Sequence, residues 1–382
     1  MRVIITDCKY KMAVPPARTL HAAGYDVLCG DYADVPDKLH LASRSRSCGG
    51  DLTWPRTENA AAAIAAACRE GDVILPVGRA TLQSFAEHPE LKDRVRFLTA
   101  APETLAYADD KARVRALAAE LGVPTPHTDF LPQGVSPADF APRVRYPCII
   151  KYRNGEALGL KSHERYAIAR DAAAFVREYT RMDAISPSPL IQDYLTGQDV
   201  GVAVVMDADS RPVDFLCYVS DREYPLSGGP TCLCRTVFDR KLLQYACDLL
   251  TAIRFRGIAM LDFKGSVERP FLLEINPRIW GSAALAEISH AAFFESYVKA
   301  ALGAARPLDL ARCEPAYRVG ARMKFAPHCF LAAAAQLRGG DRACGWRDLR
   351  ASLSPSVRDG LFSCRDPQPF FRYFVNLLKH KG

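Results

Sequence analysis

Two apolar segments carrying carboxylates at alternate positions restrict this chain more than any other stretch. They are Ile258-Ala-Met-Leu-Asp-Phe-Lys264 and Phe271-Leu-Leu-Glu-Ile-Asn-Pro-Arg278, separated by a turn at Gly265 to Pro270. Side chains alternate between the faces of a strand. Asp262 and Lys264 therefore share a face with Ile258 and Met260, and Glu274, Asn276 and Arg278 share one with Leu272. If the arms pair as a hairpin turning near residue 268, Asp262 sits across from Glu274. Like carboxylates so placed repel unless a cation lies between them. Two carboxylates and an amide oxygen form the hard-oxygen set that suits Mg²⁺, which keeps few protein ligands and takes water and phosphate oxygens for the rest. Arg278, one step along, is placed to meet a phosphate or an acyl phosphate bidentately. Large apolar residues flank this polar face, which sets it apart from an ordinary solvated hairpin.

The first hundred residues follow a different pattern. Short β-branched runs at 3–7, 25–29, 73–77 and 95–99 alternate with helical stretches from Ala13 to Ala23, Glu58 to Glu70 and Ala80 to Glu87. Such alternation predicts a parallel sheet wound on both faces. The first loop, TDCKYKMAVPPAR, contains no glycine. A pyrophosphate cannot be cradled there, so the lobe is Rossmann-like without a dinucleotide. Asp31, past the second strand, reads as a solvated strand-end residue.

At 382 residues the chain needs two or three domains. An apolar fraction of 49% with 24% charged residues describes a soluble globular protein, and no run of eighteen apolar residues predicts a membrane span. MRVIITDCKY reads as a first strand and not as a signal peptide. The thirteen cysteines are scattered without a CxxC pair, which suits reduced thiols in a cytoplasmic protein and argues against zinc. A net charge of +7 without a dense basic, aromatic-studded tract argues against nucleic acid.

Farther along, Asp109-Asp110-Lys111 opens a helix that Gly122 and Val-Pro-Thr-Pro (123–126) end. Pro147-Cys-Ile-Ile-Lys151 reads as a strand, and a polar, basic loop at 154–165 holds Gly155 and Gly159. A helix is expected from Asp171 to Thr180. Strands are expected at Leu190 to Leu195 and Val200 to Met206, with a turn at Asp207 to Ser210. An amphipathic helix runs from Asp239 to Ile253. His290 reads as a packed helix residue, and no GxSxG nucleophile motif occurs.

Taken in this order, the motifs resemble the ATP-grasp superfamily. LLEINPRIWGS is similar to its second metal-binding motif, and Asp262-Phe-Lys264 to the first. The strand ending in Lys151 resembles the one whose lysine touches nucleotide phosphates, and 154–165 resembles the glycine-containing loop that closes over them. Lys111 is similar to the other basic residue of the phosphate channel. Gln192-Asp-Tyr-Leu-Thr-Gly-Gln-Asp199 resembles the hinge, which implies adenine contacts at Gln192, Tyr194 and Leu195 and a ribose contact at Asp199. Many relatives have Glu where this hinge has Gln and Asp. Arg222-Glu-Tyr-Pro-Leu-Ser-Gly-Gly229 and Asn276-Pro-Arg-Ile-Trp-Gly-Ser282 resemble the carboxylate–amine ligase (carboligase) branch, with a carbamoyl-phosphate-synthase-like core.

The resemblance implies an α/β chain: a Rossmann-like domain over 1–105, a small ATP-grasp lobe over 106–187, a large lobe over 188–305 and a helical extension over 306–382. The implied activity is an ADP-forming ligase that activates a carboxylate as an acyl phosphate and couples it to an amine. Asp262, Glu274 and Asn276 would hold Mg²⁺, or Mn²⁺ in its place. Lys151, Lys264 and Arg278 would act at the reacting phosphate, with Lys111, Lys151, Gly155 and Gly159 around ATP. Ser227, Gly228, Gly229, Arg235 and Trp280 are substrate-pocket candidates. A homodimer is compatible with this reading. Bicarbonate activation and a non-catalytic nucleotide sensor are the alternatives.

Overall fold

The computed structural model describes residues 1–379 except 156–157, 161–163 and 227, and excluding the side chain of Leu378. Lys161 and Ser227 therefore lie outside the described residues. Three sheets organise the described residues. The first is parallel, in the order β3-β2-β1-β4, built from β1 (Arg2–Ile5), β2 (Asp26–Tyr32), β3 (Gly50–Trp54) and β4 (Val73–Leu75). Val3, Ile4 and Ile5 are fully buried, as expected of a strand covered on both faces. Helices α1 (Val14–Ala22), α2 (Ala60–Ala67) and α3 (Arg79–Glu87) supply the connections.

Three expectations differ here. Residues 95–99 form no strand beyond a bridge from Val73 to Arg96, because the Leu98 N–H donates to the Tyr297 hydroxyl at 3.1 Å instead of to a strand partner. β3 was hidden by its Gly-Asp start. Asp31 is not solvated: at 1% exposure it accepts the backbone N–H and the ammonium of Lys9.

Helices α4 (Pro102–Asp109) and α5 (Lys111–Glu120) lead into the second, antiparallel sheet, ordered β5-β8-β6-β7. Its strands are β5 (Thr128–Asp129), β6 (Cys148–Lys151), β7 (Tyr166–Ala169) and β8 (Leu190–Asp193), and helices α6 (Pro137–Phe140) and α7 (Ala172–Asp183) lie in the same segment. Phe175, Tyr179 and Met182 of α7 are buried with Ile150 and Ile191 of the sheet.

The third sheet is seven-stranded, β13-β12-β9-β10-β11-β14-β15: β9 (Gln198–Met206), β10 (Pro212–Glu223), β11 (Thr231–Val237), β12 (Gly257–Gly265), β13 (Pro270–Asn276), β14 (Arg322–Lys324) and β15 (Arg358–Asp359). Gly197 carries the chain from β8 to β9 at φ +118°, and a Cβ there would lie 2.5 Å from the Gly265 carbonyl oxygen. Both the conformation and the close approach require glycine. Helices α8 (Arg240–Ala252), α9 (Ala284–Ile288), α10 (Phe293–Ala301), α11 (Ala326–Arg338), α12 (Arg342–Leu353) and α13 (Gln368–Lys379) complete the chain. His290 is exposed at φ +62°, just beyond α9, and not packed within a helix. The stretch after residue 306 adds β14 and β15 to the large sheet as well as three helices. No helix among the described residues is long and apolar enough to cross a membrane.

Candidate active site

β12 and β13 pair antiparallel with Asp262 opposite Glu274 and Met260 opposite Asn276. The Asn276 amide N–H₂ donates to Asp262 Oδ2 at 2.9 Å and to Glu274 Oε1 at 3.3 Å. Lys111 reaches the same cluster from another element. The Ala112 and Arg113 N–H groups donate to the Asp110 carboxylate, which starts α5 and sets Lys111 at its first position. Packing of α5 on β13 then brings the Lys111 ammonium to 2.8 Å from Glu274 Oε2. Lys151, at the end of β6, lines the same cleft from the small sheet and has no ion-pair partner among the described residues.

The electrostatics divide the two carboxyls. Burial pushes the Glu274 carboxyl up, but the Lys111 and Lys151 charges and the Asn276 amide outweigh it and hold it down to about 2. Burial and the charges of Glu274 and Asp199 push the Asp262 carboxyl well above its ordinary range, against Arg278 and Asn276. Burial also lowers the Lys151 ammonium to about 8, despite Glu274. Two opposed carboxylates and an amide, with one acid destabilised by the other, are a donor set that fits a divalent cation. Magnesium takes one or two carboxylates beside phosphate oxygens.

These groups surround a cleft of about 480 Å³, whose wall includes Lys111, Lys151, Gly155, Asp199, Gly228, Gly229, Asp262, Glu274, Asn276 and Arg278. Asp199 is fixed by Lys264 at 2.8 Å, so Lys264 acts on the cleft through its neighbour. Gly228 (φ +120°) and Gly229 need to be glycine, since a Cβ on Gly229 would meet the Tyr224 carbonyl at 2.2 Å. The Tyr166 hydroxyl of the small sheet donates to the Gly228 carbonyl at 3.2 Å, joining the two sides of the cleft.

Other sequence-selected residues lie outside this lining. Gln192 is buried in β8 and its amide donates to Thr128 Oγ1 at 3.1 Å, while the Tyr194 N–H donates to the Pro147 carbonyl at 3.3 Å. Leu195 is half-buried, and Gly159 adopts φ +68° away from the wall. Trp280 is fully buried, stacked on Tyr218 and edge-on to Phe293, so it supports the wall from behind. Arg235 lines a different cavity.

Sequence reading missed Met12, Tyr166, Tyr218 and Ser282, all of which line the cleft. One signal was available for Tyr218. Gly201 interrupts an otherwise apolar strand, and a Cβ there would sit 2.2 Å from the Tyr218 ring. A glycine inside a strand marks such an approach.

The family model described as ATP-grasp in the biosynthetic pathway with Ter operon matches residues 186–324. The carbamoyl phosphate synthase large chain of Thermoanaerobacter pseudethanolicus is 23% identical over 193 residues, 49% of this chain but 18% of that one. The chain thus spans less than a fifth of that relative. Among solved structures, the biotin carboxylase domain dimer of Hydrogenobacter thermophilus 2-oxoglutarate carboxylase, in complex with MgADP, ADP and bicarbonate, superposes with a TM-score of 0.61 at 14% identity, covering 84% of this chain and 73% of that one. An L-amino acid ligase from Bacillus licheniformis superposes with a TM-score of 0.55 at 14% identity, covering 83% and 77%. The fold is the two-lobed ATP-grasp fold.

Proposed function

We propose that this ATP-grasp protein binds Mg-ATP between its second and third sheets and uses it to join a carboxylate to an amine. The observation that carries the reading is the convergence of Lys111, Lys151 and Arg278 with Asp262, Glu274 and Asn276 on one cleft. Three cations beside two carboxylates and an amide are what a triphosphate and its metal need. Asp262, Glu274 and Asn276 would hold Mg²⁺, or Mn²⁺, which when bound supplies charge neutralisation at the β- and γ-phosphate oxygens. Residues 106–187 and 188–305 act as the two lobes. The ribose would meet Asp199, which Lys264 holds in place, and the adenine would extend beyond the walled cleft toward Tyr194 and Leu195, with the buried Gln192 bonded to Thr128 in the strand that leads to them.

In the first step a carboxylate oxygen attacks the γ-phosphorus, the bond to the β–γ bridging oxygen breaks, and ADP leaves. Lys151 and Arg278 offset charge on the transferring phosphoryl oxygens, and positioning supplies most of the catalysis. In the second step an amine attacks the acyl carbon, the bond to the phosphate oxygen breaks, and inorganic phosphate leaves while the amine loses a proton. Gly228 and Gly229 offer backbone beside the acid.

The test is ADP release across a panel of amino acids and dipeptides with amines. Hydroxylamine should trap a hydroxamate when amine is omitted, and oxygen-18 from the carboxylate should appear in phosphate. Label in AMP would overturn the mechanism. A second reading, bicarbonate activation, is favoured by the carbamoyl phosphate synthase relative and the bicarbonate-bound neighbour. It predicts ADP release with bicarbonate alone.

A further inference from the structure

A second cavity, of about 940 Å³, lies between the large sheet and α12. It is separated from the first by the thickness of that sheet. Asp262, Gly201, Tyr218 and Thr236 form one cross-strand row, and Phe263, Val200, Val219, Arg235 and Arg322 form the next. Alternation puts Arg235 and Arg322 on the face away from Asp262. Chain neighbours divide accordingly: Asp199 lines the first cleft and Gln198 the second.

The second cavity has an unbalanced charge. Arg235, Arg322, Arg347 and Arg350 enter it against two carboxylates, Asp221 and Asp348. Both carboxylates are engaged, Asp221 by Arg235 at 3.2 Å and Asp348 by Arg222 at 2.5 Å. Arg322 and Arg350 have no side-chain hydrogen bond or ion pair among the described residues, and both are exposed. Like charges crowded into a concave space raise its potential and draw anions into it. The planar guanidinium matches carboxylate and phosphate oxygens in pairs. Trp346 adds an indole to the wall at 55% exposure, an apolar surface that a ligand's carbon skeleton would cover. A volume of about 940 Å³ lies in the range of about 300–1,000 Å³ usual for small-molecule sites.

We propose that this cavity is a second ligand site, taking a small organic or inorganic molecule with at least two carboxylate or phosphate groups, held by Arg322 and Arg350 against Trp346. It stands apart from the nucleotide reading and does not depend on it.

The chain carries its own reporter. Trp54 and Trp280 are at most 2% exposed, so Trp346 is the accessible one of three tryptophans. Collisional quenching by acrylamide therefore reports mainly on the second cavity. Citrate and inorganic pyrophosphate are titrated at constant ionic strength without Mg²⁺, on the parent, on Arg322→Gln/Arg350→Gln, and on Lys111→Met/Lys151→Met. The expected result is that one or both probes cut the quenching constant about twofold in the parent. The cleft variant should keep that protection, and the arginine variant should need at least tenfold more probe. Citrate as the stronger probe assigns carboxylates, and pyrophosphate assigns phosphates. Unchanged quenching up to 10 mM of both probes overturns the proposal, as does protection that survives loss of both arginines. Circular dichroism melts confirm that each variant is folded, which the exposed position of both arginines leads us to expect.

Discussion

Arg18 is the buried cation whose removal the structure prices most clearly. It lies on α1 at 8% exposure and donates Nε to Asp366 Oδ2 at 2.8 Å and Nη2 to the Leu361 and Asp366 carbonyls at 2.8 and 3.0 Å. Asp366 is 5% exposed and also accepts from the Ser45 hydroxyl and the Arg46 N–H. Arg18→Met keeps the volume and deletes the charge, leaving a buried carboxylate and two carbonyls short of their donors. Removing one partner of a buried pair costs about 3–5 kcal/mol. That is a large part of the roughly 5–15 kcal/mol that holds a folded domain.

The pair should also behave as a unit. Adding Asp366→Asn to Arg18→Met removes the stranded charge, so the double variant should recover part of the loss, with a coupling of about 1–3 kcal/mol. Urea unfolding followed by tryptophan fluorescence and by circular dichroism measures it, and the two probes must coincide for the free energies to be used. Burial pushes the Asp366 carboxyl up, but Ser45, Arg18 and the Arg46 N–H outweigh it and hold it low. Its contribution is present above the unfolded value and is lost as pH falls, so Arg18→Met should start acid unfolding at higher pH. A loss under about 1 kcal/mol for Arg18→Met, or no recovery in the double variant, would show that Arg18 and Asp366 are not a coupled buried pair.

Three further outcomes are expected. Glu274→Ala and Asn276→Ala should lower turnover at least about a hundredfold while leaving the melting temperature near that of the parent, since even the outer-shell partners of metal ligands are worth about 10–100-fold; steady-state ADP release and a melt read both. Gly201→Ala should cost about 1–3 kcal/mol, because the Tyr218 ring it strikes is backed by Trp280, and should raise the nucleotide KM as that wall shifts; unchanged stability would show that the ring can retreat. Burial lifts the Glu287 carboxyl to about 7 from 4.5, over the opposing Arg18 and Arg358 charges and with help from Asp366. The native form then holds a proton that the unfolded form has lost, so this stability is full below 4.5 and falls as pH rises toward 7. Glu287→Gln should flatten that slope in urea titrations at pH 5, 6 and 7.5.

The fold class was legible because both of its periods are strong. The β-branched runs of the first sheet are broken by clear helices, and the hairpin at 258–278 has an unambiguous face pattern, so its register followed from one assumption about the turn. Asp262 does face Glu274. Residues 95–99 misled for a stated reason: the run is as apolar as a strand, but its backbone donor is taken by Tyr297, nearly two hundred positions away. Composition over five residues cannot register such a partner.

The candidate site divides along the same line. Period-two reading assigns each side chain to a face, and so it gathers Asp262, Glu274 and Asn276 without help. It is silent on what stands across the gap. Lys111 sits on a helix and touches Glu274 only because α5 packs on β13, a contact that the local sequence at 109–111 does not encode. Arg235 shows the converse. A basic residue near the glycine loop was assigned to the substrate, yet its strand position turns it through the sheet into the arginine-lined cavity. Each residue of β11 must face one side or the other, and a bulge in its pairing with β10 between Ser220 and Arg222 shifts the count by one. A bulge changes the face of every residue counted across it. Arg235 lies on the near side of that bulge, paired with Val219, so its face follows from the run of pairs through Val219, Val200 and Phe263, which its own sequence spacing does not encode.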